Sequence, residues 1–83
     1  MKVLKFYSKT CGPCKVLEKN LQEANITHES IDIQSIENEN IIDKYEIRTI
    51  PTLILIDDEG NVVKRHNGLL GVQELKEFCN EVS

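Results

Sequence analysis

The sequence predicts an α/β fold: a four-stranded mixed sheet in the order βαβαββα, with helices on both faces. Three observations predict it. Strand-like and helix-like patterns alternate along the chain. Thr52-Leu53-Ile54-Leu55-Ile56 is an uninterrupted apolar run, as expected of a strand covered on both faces. Asp57-Asp58-Glu59-Gly60-Asn61 is a turn cluster that folds this strand back on itself.

The elements follow in order. Lys2 to Tyr7 is an apolar-rich strand interrupted by two lysines. From Cys14, apolar residues recur at spacings of three and four through Leu17, Leu21 and Ala24, the period of an amphipathic helix. Pro13 suits its first turn, where a missing N–H has no intrahelical partner to lose. Asn25 is the predicted stop. Ile26 to Ile33 reads as the second strand. Ser35 or Asn38 is the expected cap of a second helix carrying Ile41, Ile42 and Tyr45. After the apolar strand and its turn, Val62 to His66 returns as a hairpin partner. Gly68 and Gly71 bracket a loop, and the last helix carries Val72, Leu75, Phe78, Cys79 and Val82 on one stripe. Two strands joined by a helix are parallel with a right-handed crossover, and the hairpin adds antiparallel strands.

Length and composition bound the function. Residues 1–83 make one small domain, with no repeat, linker or low-complexity stretch. No apolar run approaches the ~18 residues of a membrane span, and the N-terminus does not read as a secretory signal. The net charge of -4 argues against nucleic-acid and anionic-membrane partners. Three cysteines are too few and the wrong parity for a disulfide scaffold, so a cytoplasmic location is expected.

The chemistry resides in Cys11-Gly12-Pro13-Cys14, between a strand and a helix. A thiol reacts as its thiolate. The first cysteine meets the unpaired N–H groups and positive end of the helix, with Lys9 and Lys15 nearby, a setting that lowers thiol pKa. Cys11 is therefore the candidate nucleophile. Cys14, one turn on, can attack a mixed disulfide formed on Cys11 and close a Cys11–Cys14 redox disulfide. The competing reading is half of a zinc site, completed by His28, His66 or Cys79. With no second Cys-x-x-Cys pair and Gly-Pro between the cysteines, the redox reading leads, with no metal and no bound cofactor.

Phe6 to Lys15 resembles the active-site segment of the thioredoxin family, and Lys44 to Thr52 resembles the segment ending in that family's cis-proline. Gly60 to Val63, Asn67 to Leu69 and Leu75 to Phe78 resemble its hairpin and C-terminal region. The likeness runs over essentially the whole chain, to a minimal, glutaredoxin-sized member. It implies the thioredoxin fold and a thiol–disulfide oxidoreductase acting on disulfide-containing proteins. A thioredoxin-reductase-like enzyme or a small thiol would be the reductant, and the protein would be a monomer. It also implies a cis Ile50–Pro51 bond against the Cys11 sulfur, with Gly12, Pro13 and Pro51 supporting the site. Thr49, Ile50, Gly68 and Leu69 would meet the substrate, Ile50 through its backbone and Gly68 by allowing close approach.

The chain departs from the pattern at named positions. Thr10 replaces the family's tryptophan, Lys5 its buried aspartate, and Glu46 the glycine after the lysine–tyrosine pair. A charged Lys5 cannot accept a proton, and if buried it needs a partner, for which Glu29 on the neighbouring strand is the candidate. Compared with glutaredoxin, the Gly-Gly-Asp segment that helps hold glutathione is missing, while Thr49-Ile50-Pro51 matches. The rival functions are a glutathione-dependent enzyme and a non-redox binding or zinc module. Cys79 reads as a buried inert thiol, His28 and His66 as solvated, and Lys2, Lys64 and Arg65 as ordinary surface charges.

Overall fold

The computed structural model describes residues 1–80. Its strands are β1 (Lys2–Tyr7), β2 (Glu29–Asp32), β3 (Thr52–Ile56) and β4 (Val62–Asn67). Its helices are α1 (Gly12–Glu23), α2 (Glu39–Lys44) and α3 (Val72–Cys79), with a 3-10 turn at Ile36–Asn38 before α2. The sheet order is β2-β1-β3-β4, with β1 parallel to β2 and antiparallel to β3, and β3 antiparallel to β4.

Strand alternation sends side chains to two cores. On one face Val3, Leu53 and Leu55 pack with Leu17 and Leu21 of α1 and Leu75 and Phe78 of α3. On the other, Leu4, Phe6, Ile31 and Ile54 pack with Tyr45, backed by Ile41 and Ile42 of α2. Central β1 and β3 feed both cores, which is why Thr52–Ile56 reads as an unbroken apolar run. The Phe6 and Tyr45 rings meet edge to face, with centroids 6.2 Å apart.

Several element boundaries differ from the sequence reading. The second strand spans Glu29–Asp32, not Ile26 to Ile33, and Tyr45 follows the second helix as its C-cap. Asn25 takes φ +57, as a helix stop requires, and its N–H bonds to the Gln22 carbonyl. The Ile26 N–H reaches back to the Leu21 carbonyl at 3.0 Å, completing a Schellman closure. Ile26 is thus spent on ending α1. The second helix is only six residues long and has no side-chain cap. Ser35 Oγ instead donates to Glu37, and Asn38 Nδ2 donates to the Asp32 carbonyl at 2.9 Å. The last strand runs one residue further, to Asn67. Val82, expected on the α3 stripe, lies outside the described residues.

Candidate active site

Cys11 is the N-cap of α1, and its Sγ accepts a hydrogen bond from the Cys14 N–H at 3.1 Å. The sulfur thus takes the place of a serine or threonine oxygen at a helix start. Pro13 lies in the first turn, as its missing N–H allows. Cys11 is half-buried and Gly12 and Pro13 are exposed, whereas Cys14 is 2% exposed and faces the core. The two cysteines are joined as a disulfide, with Cα atoms 5.2 Å apart. Cys79 is free and half-buried, and burial pushes its thiol pKa above the ordinary 9.0.

The Ile50–Pro51 bond is cis. Thr52, fully buried at the start of β3, donates from Oγ1 to the Thr49 carbonyl at 2.7 Å and ties that hydroxyl to Asn67 at the end of β4. The Gly68 N–H donates to the Pro51 carbonyl at 2.8 Å. Thr49, Ile50, Pro51, Gly68 and Leu69 therefore form one loop pair at the end of the β3–β4 hairpin. Thr49 and Leu69 are exposed, Ile50 and Gly68 are half-buried, and Pro51 is buried. Gly68 has φ +105, a backbone state that calls for glycine.

Arg65 is not the ordinary surface charge expected from sequence. Its guanidinium donates to the Tyr45 carbonyl and, at 3.0 Å, to the Glu46 carbonyl. It thereby holds the end of α2 that leads into Thr49–Pro51. Glu46 lies there with φ +51. No motif announces this role, since it depends on β4 passing beneath the α2 terminus.

Lys5 is 4% exposed, and its partner is not Glu29. Lys5 pairs with Ser30 in the parallel register, and paired positions share a face, so adjacent Glu29 points to the opposite side. Glu29 instead meets exposed Lys2 at 2.7 Å. The Lys5 ammonium bonds to the Glu18 carboxylate on α1 and lies 5.0 Å from the Tyr7 ring centre. His28 is not solvated: its side chain is 11% exposed. Its Nε2 faces the same Glu18 oxygen at 2.8 Å, and its Nδ1 faces the Ile26 carbonyl at 3.2 Å. The Lys5 hydrogen bond is the largest cause holding Glu18 below the usual carboxylate pKa; His28 adds to it, and partial burial opposes it. Sequence reasoning passed over Glu18. Its signal was the four-residue step from Cys14, which puts both on one side of α1. Lys5, Glu18 and Cys14 line one open pocket of about 400 Å³, with Tyr7, Ser8 and Ser30.

Among the described residues, no group of three or more His, Cys, Asp or Glu side chains is placed to hold a metal ion. None of the described helices is long and apolar enough to cross a membrane.

A sequence profile of the thioredoxin family matches residues 1–81. The chain belongs to the thioredoxin family. It is 35% identical to a thioredoxin of Mycoplasmoides gallisepticum, over 92% of this chain and 78% of the relative. It is also 28% identical to the SPbeta prophage-derived thioredoxin-like protein YosR of Bacillus subtilis, over 99% of each chain. The solution structure of a thioredoxin-like protein from Clostridium perfringens superposes with a TM-score of 0.88 at 22% identity, covering 99% of this chain and 70% of the other. Membership, together with a cysteine pair at disulfide distance, makes this thioredoxin-family protein a dithiol–disulfide oxidoreductase. The family acts on protein disulfides with the help of a reductant.

Proposed function

We propose that residues 1–83 form a single-domain, monomeric, cytoplasmic disulfide reductase in which Cys11 attacks and Cys14 resolves. The observation that carries this reading is the contrast between the cysteines. Cys11 caps a helix with its sulfur accepting the Cys14 N–H, whereas Cys14 is 2% exposed. An incoming disulfide meets Cys11 first. The Cys11 thiolate forms a bond to one substrate sulfur, and the other sulfur leaves as a thiolate. Cys14 then loses its proton and attacks the Cys11 sulfur. The Cys11–Cys14 bond closes, the substrate's remaining sulfur departs, and two electrons have passed to the substrate.

The loop pair Thr49–Pro51 and Gly68–Leu69 supplies the docking surface. Ile50 offers its backbone to an extended substrate, and Pro13, Ile50 and Leu69 form an apolar rim. Pro51 supports the Cys11 sulfur. The sulfurs themselves carry the electrons, so no bound cofactor is needed. The missing Gly-Gly-Asp segment favours a thioredoxin-reductase-like enzyme over glutathione as the source of electrons. A Cys14→Ser protein should accumulate mixed disulfides through Cys11, identifiable by mass spectrometry. Reductase-coupled and glutathione-coupled turnover, run side by side, decides the reductant. Mixed disulfides on Cys79 in preference to Cys11, or stronger trapping through Cys14 in a Cys11→Ser protein, would overturn the assignment.

A further inference from the structure

The resolving cysteine shares its pocket with a buried cation. Lys5 is 4% exposed on the inner face of β1, opposite α1, and it lines the same pocket as Cys14. Two further anchors hold the ammonium in place: the Glu18 carboxylate and the face of the Tyr7 ring. Glu18 is itself held by His28 at 2.8 Å, so the carboxylate has two partners on the side away from solvent. A buried lysine needs a counter-charge, and the counter-charge here sits on α1, four residues after Cys14. The remaining charges at the pocket, Lys9 and Lys15, are exposed and screened by water.

We propose that Lys5 is a charge-positioning residue for the second cysteine: its ammonium stabilises the Cys14 thiolate while the mixed disulfide is resolved, and Glu18 sets how much of that charge Cys14 experiences. This rests on the reading of Cys14 as the resolving thiol. A charged ammonium cannot take a proton. The Cys14 proton therefore leaves through the open pocket to water, the substrate thiolate gains one from water, and Lys5 stays protonated throughout. Glu18, held below the usual carboxylate range by Lys5 and His28, stays ionised and is a weak base.

The two charges act on Cys14 with opposite sign, which separates this proposal from a purely structural role. In a Cys11→Ser, Cys79→Ala background, ultraviolet thiolate absorbance followed against pH reports Cys14 alone. Lys5→Met, close in volume but uncharged, should raise the Cys14 pKa by about one unit. Glu18→Gln should lower it, and Lys5→Arg should leave it near the parent value. With the Cys11–Cys14 pair intact, a chromogenic aromatic dinitrobenzoate disulfide releases one thiolate on Cys11 attack and a second on Cys14 resolution. Lys5→Met should slow the second release by roughly threefold at neutral pH, the tenfold loss of thiolate being partly offset by the greater nucleophilicity of the more basic sulfur, and leave the first unchanged. Unmoved titrations and an unchanged second release would overturn the role of Lys5 while leaving Cys11 and Cys14 in place. Loss of the first release from the unsubstituted protein would instead overturn the proposed function. If Lys5→Met does not fold, the Glu18→Gln titration still decides: a shift upward, or none, refutes the proposal.

Discussion

Glu18→Ala should cost far more stability than its surface position on α1 suggests. The substitution strands the Lys5 ammonium, whose side chain is 5% exposed. Removing one partner of a fully buried ion pair costs roughly 3–5 kcal/mol, because an uncompensated charge stays behind. The Glu18 side chain, however, is 37% exposed, so water reaches the vacated space and offsets part of the loss. Discounting for that screening leaves about 2–3 kcal/mol. The internal control is Glu29→Ala. The Lys2–Glu29 contact has side chains 57% and 50% exposed, and such a pair contributes under about 1 kcal/mol. Urea unfolding of the oxidised protein at neutral pH measures both as shifts in midpoint at constant slope. The pH dependence has a definite sign. The Glu18 carboxyl is depressed in the folded protein, so its contribution is complete above the ordinary carboxylate value of 4.5 and is lost as pH falls through the lower folded value. The gap between parent and Glu18→Gln should therefore hold down to about pH 4.5 and close below it. Equal midpoints for Glu18→Ala and Glu29→Ala, or a gap that closes near neutrality, would refute this reasoning.

Limited alkylation of the reduced protein near neutral pH should modify Cys11 first, as read by peptide mass spectrometry; Cys79 labelling should keep climbing beyond pH 9.0, because burial raises its pKa. Peptide mapping after mild oxidation should find Cys11 bridged to Cys14 and Cys79 free. Arg65→Ala should cost about 1–2 kcal/mol in urea unfolding, since a charged donor leaves the Tyr45 and Glu46 carbonyls; a loss under half that would make Arg65 a bystander. Glu46→Gly should stabilise and Gly68→Ala destabilise, each by about 1 kcal/mol, because both positions have positive φ. At Gly68 the nearest atom to an added Cβ would be 4.0 Å away, so backbone conformation and not crowding sets the cost.

The placement of the cysteine pair was legible because it depends on local chemistry. A strand, Cys-x-x-Cys and a proline in the first turn specify a capped helix start wherever they occur, and Cys11 and Cys14 lie where that grammar puts them. The sheet was legible for a similar reason, since β1 and β3 carry apolar residues at successive positions and so lie between two layers. The end of α1 and the start of β2 were less so. Ile26 is apolar in either a strand or a Schellman closure, and only the positive φ of Asn25 assigns it to the helix. Arg65 was invisible because both of its acceptors are main-chain carbonyls of a distant segment, which no side-chain pattern encodes.

Lys5 shows what a partner search along the chain misses and a parity argument recovers. In β1, Val3 and Lys5 point one way and Leu4 and Phe6 the other. Across the sheet, Val3 faces Leu55 and Lys5 faces Leu53, both in the core beneath α1 and α3. A lysine aimed into that core can be neutralised only by something the covering helix or the same face of β2 presents. Glu29 fails, because the neighbour that shares its face with Lys5 is Ser30. Glu18 qualifies, being one turn past Cys14 on the helix that covers this face. His28 qualifies as well, two residues before Ser30 and so of the same parity. A charge inside a small core, neutralised by the helix that carries the reactive cysteines, ties the stability of β1 to the electrostatics of Cys14. Lys5→Met, which removes the buried charge, should be tolerated by the fold and register at the thiol, whereas Glu18→Ala, which strands that charge, should register first in stability.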